Sequence, residues 1–260
     1  MGLQLLSDTD LQSRFNDSEG VPCQELTLEQ VLATRNDANQ RLEAFLHDCK
    51  RYLRLHDAFV GPLKKDEDAQ KKGEGEKKGR HDRVTDYVRG KIVVRTPQEV
   101  LSVLETLSNG HIDFMQAHGI MPVELTNFFE DPKDFTGYRA LKYKLAVPVL
   151  EGRYHLVELQ VVAEQIEQVY DETHPYKVRG ETIHDRSARE NRELTKAERR
   201  EAAYSFAACR LINGRVARDA GYDVLLKPEL RGKHSLPRHR ELKLQGMVDD
   251  LHRMFGLDNL

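Results

Sequence analysis

The sequence is short of cysteine, has no long apolar run and no excess of charge of one sign, and each shortage removes a class of protein. Its three cysteines, Cys23, Cys49 and Cys209, are odd in number, far apart and in no Cys-x-x-Cys spacing. They exclude a disulfide framework and suit small buried hydrophobes in a reducing compartment. No apolar stretch approaches the roughly 18–20 residues that a membrane helix needs, and no charged-then-apolar segment reads as a signal peptide. The expectation is a protein with no membrane partner, working in a cytoplasm, either its own cell's or a target cell's. Lys+Arg (40) and Asp+Glu (43) nearly cancel, leaving a net charge of −3. A polyanion would have to be held by a local patch, because no global field attracts it. Walker loops, G-x-G-x-x-G after a strand, H-E-x-x-H and G-x-S-x-G are all missing, which excludes the commonest nucleotide-binding, zinc-protease and serine-hydrolase signatures. The His56–Asp57 pair has no companion metal ligands and reads as incidental.

What is present is a chain of 260 residues, 32% charged and 39% apolar, long enough for one large domain with helical extensions and a buried core. Residues 1–24 are polar and weakly patterned. Over 26–59, Leu28, Val31, Leu32, Leu42, Phe45, Leu46, Cys49, Tyr52 and Leu53 recur at helical spacing and predict one or two amphipathic helices. "KKDEDAQKKGEGEKKGRHD" (64–82) has no apolar residue except Ala69 and reads as a solvated loop. "KIVVRT" (91–96) reads as a buried strand. "PQEVLSVLETLSNG" then gives a helix with Pro97 in its first turn and Val100, Val103, Leu104 and Leu107 on one face. "HIDFMQ" and "PVELTNFF" read as strands, and "RALKYKLAVPVL" (139–150) and "YHLVELQVVA" (154–163) as a hairpin joined by "EGR". Helices are expected over 163–173, within 186–220 and within 236–255. The whole is an α+β pattern: helix, a small β core with one crossover helix, then helices.

The chemistry-bearing residues gather around the hairpin. Alternation puts Glu158 and Gln160 on one face with Leu156, and Val157, Leu159 and Val161 on the other. A carboxylate within so apolar a strand either faces water on an edge strand or is enclosed, and an enclosed acid needs a cation, hydrogen bonds or a metal. Asp86, in "RVTDYVRGKIVV", sits at the entry to the first core strand. If the two strands are neighbours, Asp86 and Glu158 can hold one Mg²⁺, an ion that takes one or two carboxylates and shares its shell with substrate phosphates. Lys64, Lys72, Lys133, Arg139 and Lys142 are the candidate phosphate cations. Tyr138 follows Gly137, a residue that permits a turn presenting the next side chain outward. An exposed tyrosine ring stacks on a nucleobase for about 1–3 kcal/mol; its alternative is core packing.

"GPLKKDEDAQKK", "DYVRGKIVV", "PKDFTGYRALKYK", "HLVELQ" and "THPYK" occur in that order. Over roughly residues 60–180 this order resembles the synthetase domain of the RelA/SpoT family and the small alarmone synthetases, especially their toxin-like branch. The resemblance implies a nucleotidyltransferase-like mixed β-sheet flanked by helices. It divides the chain into an N-terminal helical extension (1–59), a synthetase core (60–180) and a C-terminal helical extension (181–260). It further implies Mg²⁺-dependent transfer of pyrophosphate from ATP to a 3′-hydroxyl. Asp86 would be a metal ligand. Glu158 would share the metal or act as base, and Gln160 would orient that site. Lys64 and Lys72 would bind ATP phosphates. Tyr138 would stack on the acceptor base, while Lys133, Arg139, Lys142 and His174 would line the acceptor and phosphate sites.

The sequence departs from the family pattern at several positions. Pro62 stands where the ATP loop has arginine and Asp68 where it has serine. Arg89 and Lys91 replace the glycine and arginine of Asp-x-x-Gly-x-Arg, and Lys142 replaces the histidine of Gly-Tyr-Arg-Ser-Leu-His. No hydrolase motif precedes the synthetase-like part, which fits a growth-inhibiting toxin or effector and, with it, an antitoxin or immunity protein as partner. Acceptors in keeping with the resemblance are GDP or GTP, or ADP or ATP giving (p)ppApp. The 3′ end of tRNA is the alternative, which the basic stretch with Lys227, Arg231, Lys233, Arg238, Arg240 and Lys243 would meet through the RNA backbone. A degenerate fold that only binds nucleotide or a partner protein is the third reading.

Overall fold

Thr27 opens the longest of the described helices in the computed structural model. Its hydroxyl accepts from the Gln30 N–H at 3.3 Å and its own N–H donates to the Gln30 side chain at 3.0 Å, a reciprocal cap that satisfies two orphan donors. Helix α1 (Leu28–Leu53) then runs unbroken to Arg54, which ends it in the left-handed region at φ 54°. The structure describes residues 26–76, 81, 84–110, 112–133, 136–149, 153–228, 230 and 246. The expected helix within 236–255 and the "EGR" turn therefore lie wholly or largely outside the described residues.

The remaining elements follow in chain order: β1 (Asp57–Val60), α2 (Asp66–Glu76), β2 (Arg89–Val94), α3 (Pro97–Glu105) running into a π-turn (Thr106–Gly110), α4 (Ile112–Ala117), β3 (Met121–Asn127), β4 (Ala140–Pro148), β5 (Tyr154–Ala163), α5 (Glu164–Gln168), α6 (Tyr170–Arg189) and α7 (Lys196–Asp219), then a 3₁₀ turn (Tyr222–Leu225). The strands form one mixed sheet in the order β1-β2-β5-β4-β3. β1–β2, β3–β4 and β4–β5 pair antiparallel. The α+β reading and the β4–β5 hairpin are as the sequence predicts.

Two local expectations fail. "HIDFMQ" is not a strand: Ile112–Ala117 is helical. Six residues holding three apolar ones, Ile112, Phe114 and Met115, fit either period. The lysine-rich stretch is not a loop throughout, since Asp66–Glu76 forms a helix. It starts on three acids, Asp66, Glu67 and Asp68, which favour a helix N-terminus.

The chain divides into two compact units: residues 1–127 with 140–162, and residues 128–139 with 163–260. In the first, α1 packs on β1, β2, β4 and α3. Leu42, Phe45, Leu46 and Cys49 fill its buried face, and Val100, Val103 and Leu104 that of α3. Gly90 is the point of closest approach. A Cβ there would lie 2.9 Å from Leu46 Cδ1 and 3.2 Å from both Leu42 Cδ2 and Leu159 Cδ1, so any side chain larger than glycine would have to displace these leucine methyls. Thr96 caps α3 by accepting from the Glu99 N–H at 3.2 Å, with Pro97 in the first turn. In the second unit α6 and α7 pack together, and Tyr176, Ala208, Cys209 and Leu211 form their shared core.

Candidate active site

Strand β5 reads half-buried, buried, half-buried in strict alternation from Tyr154 to Gln160. Val157, Leu159 and Val161 are fully enclosed, whereas Glu158 and Gln160 stand on the half-open face. The register places Lys144 opposite Glu158 and Lys142 opposite Gln160, with Glu124 and Thr126 of β3 next in line. This face is a row of polar and charged groups, because a period of two sends every second side chain to it.

Glu158 is held from two sides. Gln160 Nε2 donates to Oε1, and Lys142 Nζ stands 4.0 Å from Oε2. Lys144 is turned to Glu124, with which it pairs. Glu158 therefore has an amide donor on one oxygen and a lysine ammonium beside the other.

The second carboxylate arrives through the backbone. The Glu158 N–H donates to the Val88 carbonyl at 3.2 Å, so the segment carrying Asp86 runs beside β5. Lys64 Nζ donates to Asp86 Oδ2 at 2.8 Å, with side-chain exposures of 21% and 14%. The Lys64 N–H also donates to the Tyr87 carbonyl at 3.3 Å. Lys72 lies in α2, and its side chain is outside the described residues.

Among the described residues no group of three or more His, Cys, Asp or Glu side chains is arranged to hold a metal ion. Asp86 and Glu158 are the two carboxylates that the neighbouring segments carry. Two carboxylates with the rest of the shell left to water and phosphate oxygens fit Mg²⁺. Lys64 and Lys142 are the cations beside these two carboxylates.

The second unit carries the other sequence-predicted residues. Gly137 has φ +63°, and its N–H donates to the Lys133 carbonyl at 2.9 Å while the Lys133 N–H donates to the Tyr138 carbonyl at 3.0 Å. This closes a tight turn that leaves Lys133 exposed and Tyr138 half-buried. A Cβ at Gly137 would meet Arg210 Cγ at 3.3 Å, a second reason for glycine there. Arg139 is placed in the interior, 2% exposed, where Nη2 donates to Asp223 Oδ1 at 2.6 Å. Its Nε and Nη1 have no hydrogen-bond partner among the described residues. His174 stacks on Tyr170 with ring centroids 4.9 Å apart, and its Nδ1 is buried without a partner among the described residues. Lys227 faces Asp131 at 3.7 Å, and Arg231, Lys233, Arg238, Arg240 and Lys243 lie outside the described residues.

Sequence reasoning missed four residues near Asp86 and Glu158. Arg35 of α1 donates through Nη1 to the Lys64 carbonyl at 3.3 Å and to Asp66. His155 of β5 is buried on the face opposite Glu158, 3.1 Å from Thr34 Oγ1. Burial, reinforced by the Arg35 charge, pushes its pKa down to about 4, so it is neutral. Tyr87, next to Asp86, shares a 3.0 Å hydrogen bond with His81 Nδ1. Burial and the Asp86 charge push its hydroxyl up to about 12. His155 alone was signalled, by its place in the alternation on the side of Val157 and Leu159.

No family model and no curated protein matches the chain. Solved structures do. The small alarmone synthetase 1 from Bacillus subtilis bound to its product pppGpp is similar at 15% identity and TM-score 0.47, covering 74% of this chain and 96% of that one. A GTP pyrophosphokinase family protein from Streptococcus pneumoniae is similar at 15% identity and TM-score 0.43, covering 88% and 97%. The complex between the Type VI effector Tas1 and its immunity protein is similar at 16% identity and TM-score 0.40, covering 71% and 96%. Among the described residues no helix is long and apolar enough to cross a membrane.

Proposed function

We propose that the chain is an ATP-dependent pyrophosphokinase that transfers the β,γ-pyrophosphate of ATP to the 3′-hydroxyl of a purine nucleotide. The observation that carries this reading is the 3.2 Å bond from the Glu158 N–H to the Val88 carbonyl. It brings a second carboxylate segment, Asp86, beside the strand that bears Glu158. The five sequence motifs in family order support the same reading.

The chemistry demands little covalent work from the protein. Phosphoryl-type transfer is accelerated mainly by positioning and charge neutralisation. The acceptor oxygen attacks the β-phosphorus of ATP, the bond from that phosphorus to the α–β bridging oxygen breaks, and AMP leaves. Glu158 takes the hydroxyl proton, a step for which its half-open position leaves it within reach of an acceptor. Gln160 fixes one Glu158 oxygen and so aims the other. Lys64 and Lys72 meet the donor phosphates, Lys64 by leaving Asp86. Asp86 and Glu158 would hold Mg²⁺, which when bound neutralises triphosphate charge. Tyr138 is the proposed base platform, with Lys133 and His174 as companions for the acceptor phosphates and Lys142 for its approach to Glu158. Arg139, enclosed with Asp223, would serve phosphate only after exchanging that partner. A role as a growth-inhibiting toxin with an immunity protein belongs to this same reading.

The test is incubation with γ-labelled ATP and Mg²⁺ and, in turn, GDP, GTP, ADP, ATP and bulk tRNA, with Glu158→Gln as control. Label is expected to move to a purine nucleotide with equimolar release of AMP, and to be lost in the variant. Label on tRNA would redirect the acceptor to RNA. No transfer to any acceptor, release of ADP in place of AMP, or transfer undiminished in the variant would overturn the reading.

A further inference from the structure

Helix α2 should not stand alone. It has eleven residues, no apolar residue but Ala69, and glycines at 73 and 75, each of which costs about 1 kcal/mol relative to alanine in a helix. Isolated helices of this length are marginal even in alanine-rich sequences, and one that is polar all round has no apolar face to dock. Something outside the helix must hold it, and the first unit supplies three contacts.

At the N-terminal end Arg35 of α1 reaches across with Nη1 to the Lys64 carbonyl at 3.3 Å and to the Asp66 carboxylate. Its side chain is 21% exposed against 62% for Asp66, so the anchored end is the arginine. Along the helix, Gly73 lies against His81: a Cβ built there would fall inside the His81 ring. This glycine is a docking surface for an imidazole. His81 in turn shares its 3.0 Å bond with the Tyr87 hydroxyl, both residues being buried. Tyr87 closes the circuit, since its carbonyl accepts from the Lys64 N–H at 3.3 Å. One residue, adjacent to Asp86, therefore ties the segment both ahead of α2 and beyond it.

We propose that Arg35 and the Tyr87–His81 pair are positioning residues that clamp the lysine-bearing segment 64–76 beside Asp86 and so preorganise Lys64 for a triphosphate. The inference rests on the pyrophosphokinase reading for its ligand, and on geometry alone for the clamp. Its logic is that a polar, glycine-containing helix gains its order from two fixed points elsewhere in the chain. A donor site built from it then loses less conformational freedom on binding.

The test uses the full chain with Arg35→Ala, Arg35→Lys, His81→Ala and His81→Gln, measuring amide hydrogen exchange and steady-state kinetics. In the alanine variants, exchange over 66–76 is expected to rise about tenfold or more while β4 and β5 keep their protection. Apparent KM for ATP is expected to rise about tenfold, with kcat and the acceptor KM within about threefold, the pattern of lost binding order in place of lost chemistry. His81→Gln, which keeps a hydrogen-bonding group toward Tyr87, and Arg35→Lys, which keeps the charge, are expected to restore part of both readouts. Exchange over 66–76 that is unchanged in both alanine variants overturns the clamp. So does a fall in kcat at constant KM for ATP. A variant that loses protection throughout the sheet has simply unfolded, and its conservative partner then decides. A wild-type protein that transfers nothing overturns the donor-site reading by itself, and exchange still settles whether the segment is clamped.

Discussion

Lys142 Nζ stands 4.0 Å from one oxygen of Glu158 while the Gln160 amide donates to the other. The carboxylate is thereby fixed between a permanent cation and a neutral donor, on a strand whose opposite face is solid core. Replacing it with an isosteric amide should leave the fold intact and remove the proposed base. Glu158→Gln is expected to lower kcat by about 10²–10⁴, the span typical of a general base, with a melting temperature close to that of the parent. Rapid-quench product formation alongside thermal unfolding checks both halves.

The cation beside that base is a second lever. Lys142→Met removes the charge and keeps the stem that lies along β4. Under the proposed function the acceptor KM is expected to rise about tenfold, equivalent to about 1.4 kcal/mol, with the ATP KM within twofold. Varying each substrate in turn at saturating levels of the other measures the split. A change confined to the ATP KM would place Lys142 on the donor side.

Much of this face could be read directly. The run from Tyr154 to Val161 announces its two sides, because alternation is the one signal a strand cannot hide. Pro97 in the first turn of α3, and the apolar spacing of α1, are equally plain. "HIDFMQ" misled because six residues carry too little periodicity to separate a strand from a turn of helix. The lysine-rich stretch misled for a different reason. Its order comes from Arg35, Tyr87 and His81, none of them within it except His81 at its margin, and composition says nothing of remote contacts. Arg139 is the same lesson in the other unit: its partner Asp223 lies 84 positions along the chain, so no local pattern reveals that this arginine is enclosed.

That enclosed pair makes a stability prediction. Removing one partner of a buried ion pair leaves an uncompensated charge, and the loss exceeds what the pair itself contributes. Asp223→Ala is expected to destabilise the chain by about 3 kcal/mol, tempered by the one-third exposure of the Asp223 side chain. Arg139→Met combined with Asp223→Ala is expected to cost less than Asp223→Ala alone. Denaturant titration of the two single variants and the double variant gives the coupling.

His155 supplies a pH dependence with a definite sign. Its pKa is about 4 in the folded chain against about 6.5 when unfolded. The unfolded state therefore binds the extra proton first as pH falls. Stability is fully present above about pH 6.5 and declines toward pH 4, by up to on the order of 3 kcal/mol from this group. Below that range both states are protonated and the decline from this source stops. His155→Gln is expected to flatten the slope between pH 6.5 and 4 relative to the parent, as followed by urea unfolding at a series of pH values.

Gly90 tests the packing of α1 on the sheet. Gly90→Val would force its side chain into Leu46, Leu42 and Leu159, and overpacking of this kind costs about 1–3 kcal/mol. The midpoint of chemical unfolding is expected to fall accordingly, with Gly90→Ala between the parent and the valine variant.

The pairing of Lys144 with Glu158 and of Lys142 with Gln160 has a consequence for how this chain tolerates change. A slip of β5 by one residue against β4 would turn Glu158 and Gln160 toward the α1 side and send Val157 and Leu159 to water. The lysines of β4 would then be left without the acid and amide they face. Insertions or deletions of a single residue within either strand should therefore behave as switches, abolishing fold and chemistry together. Changes in the connection between them have no such leverage. The hairpin acts as a reading frame, and the chemistry is legible only when the core is in phase.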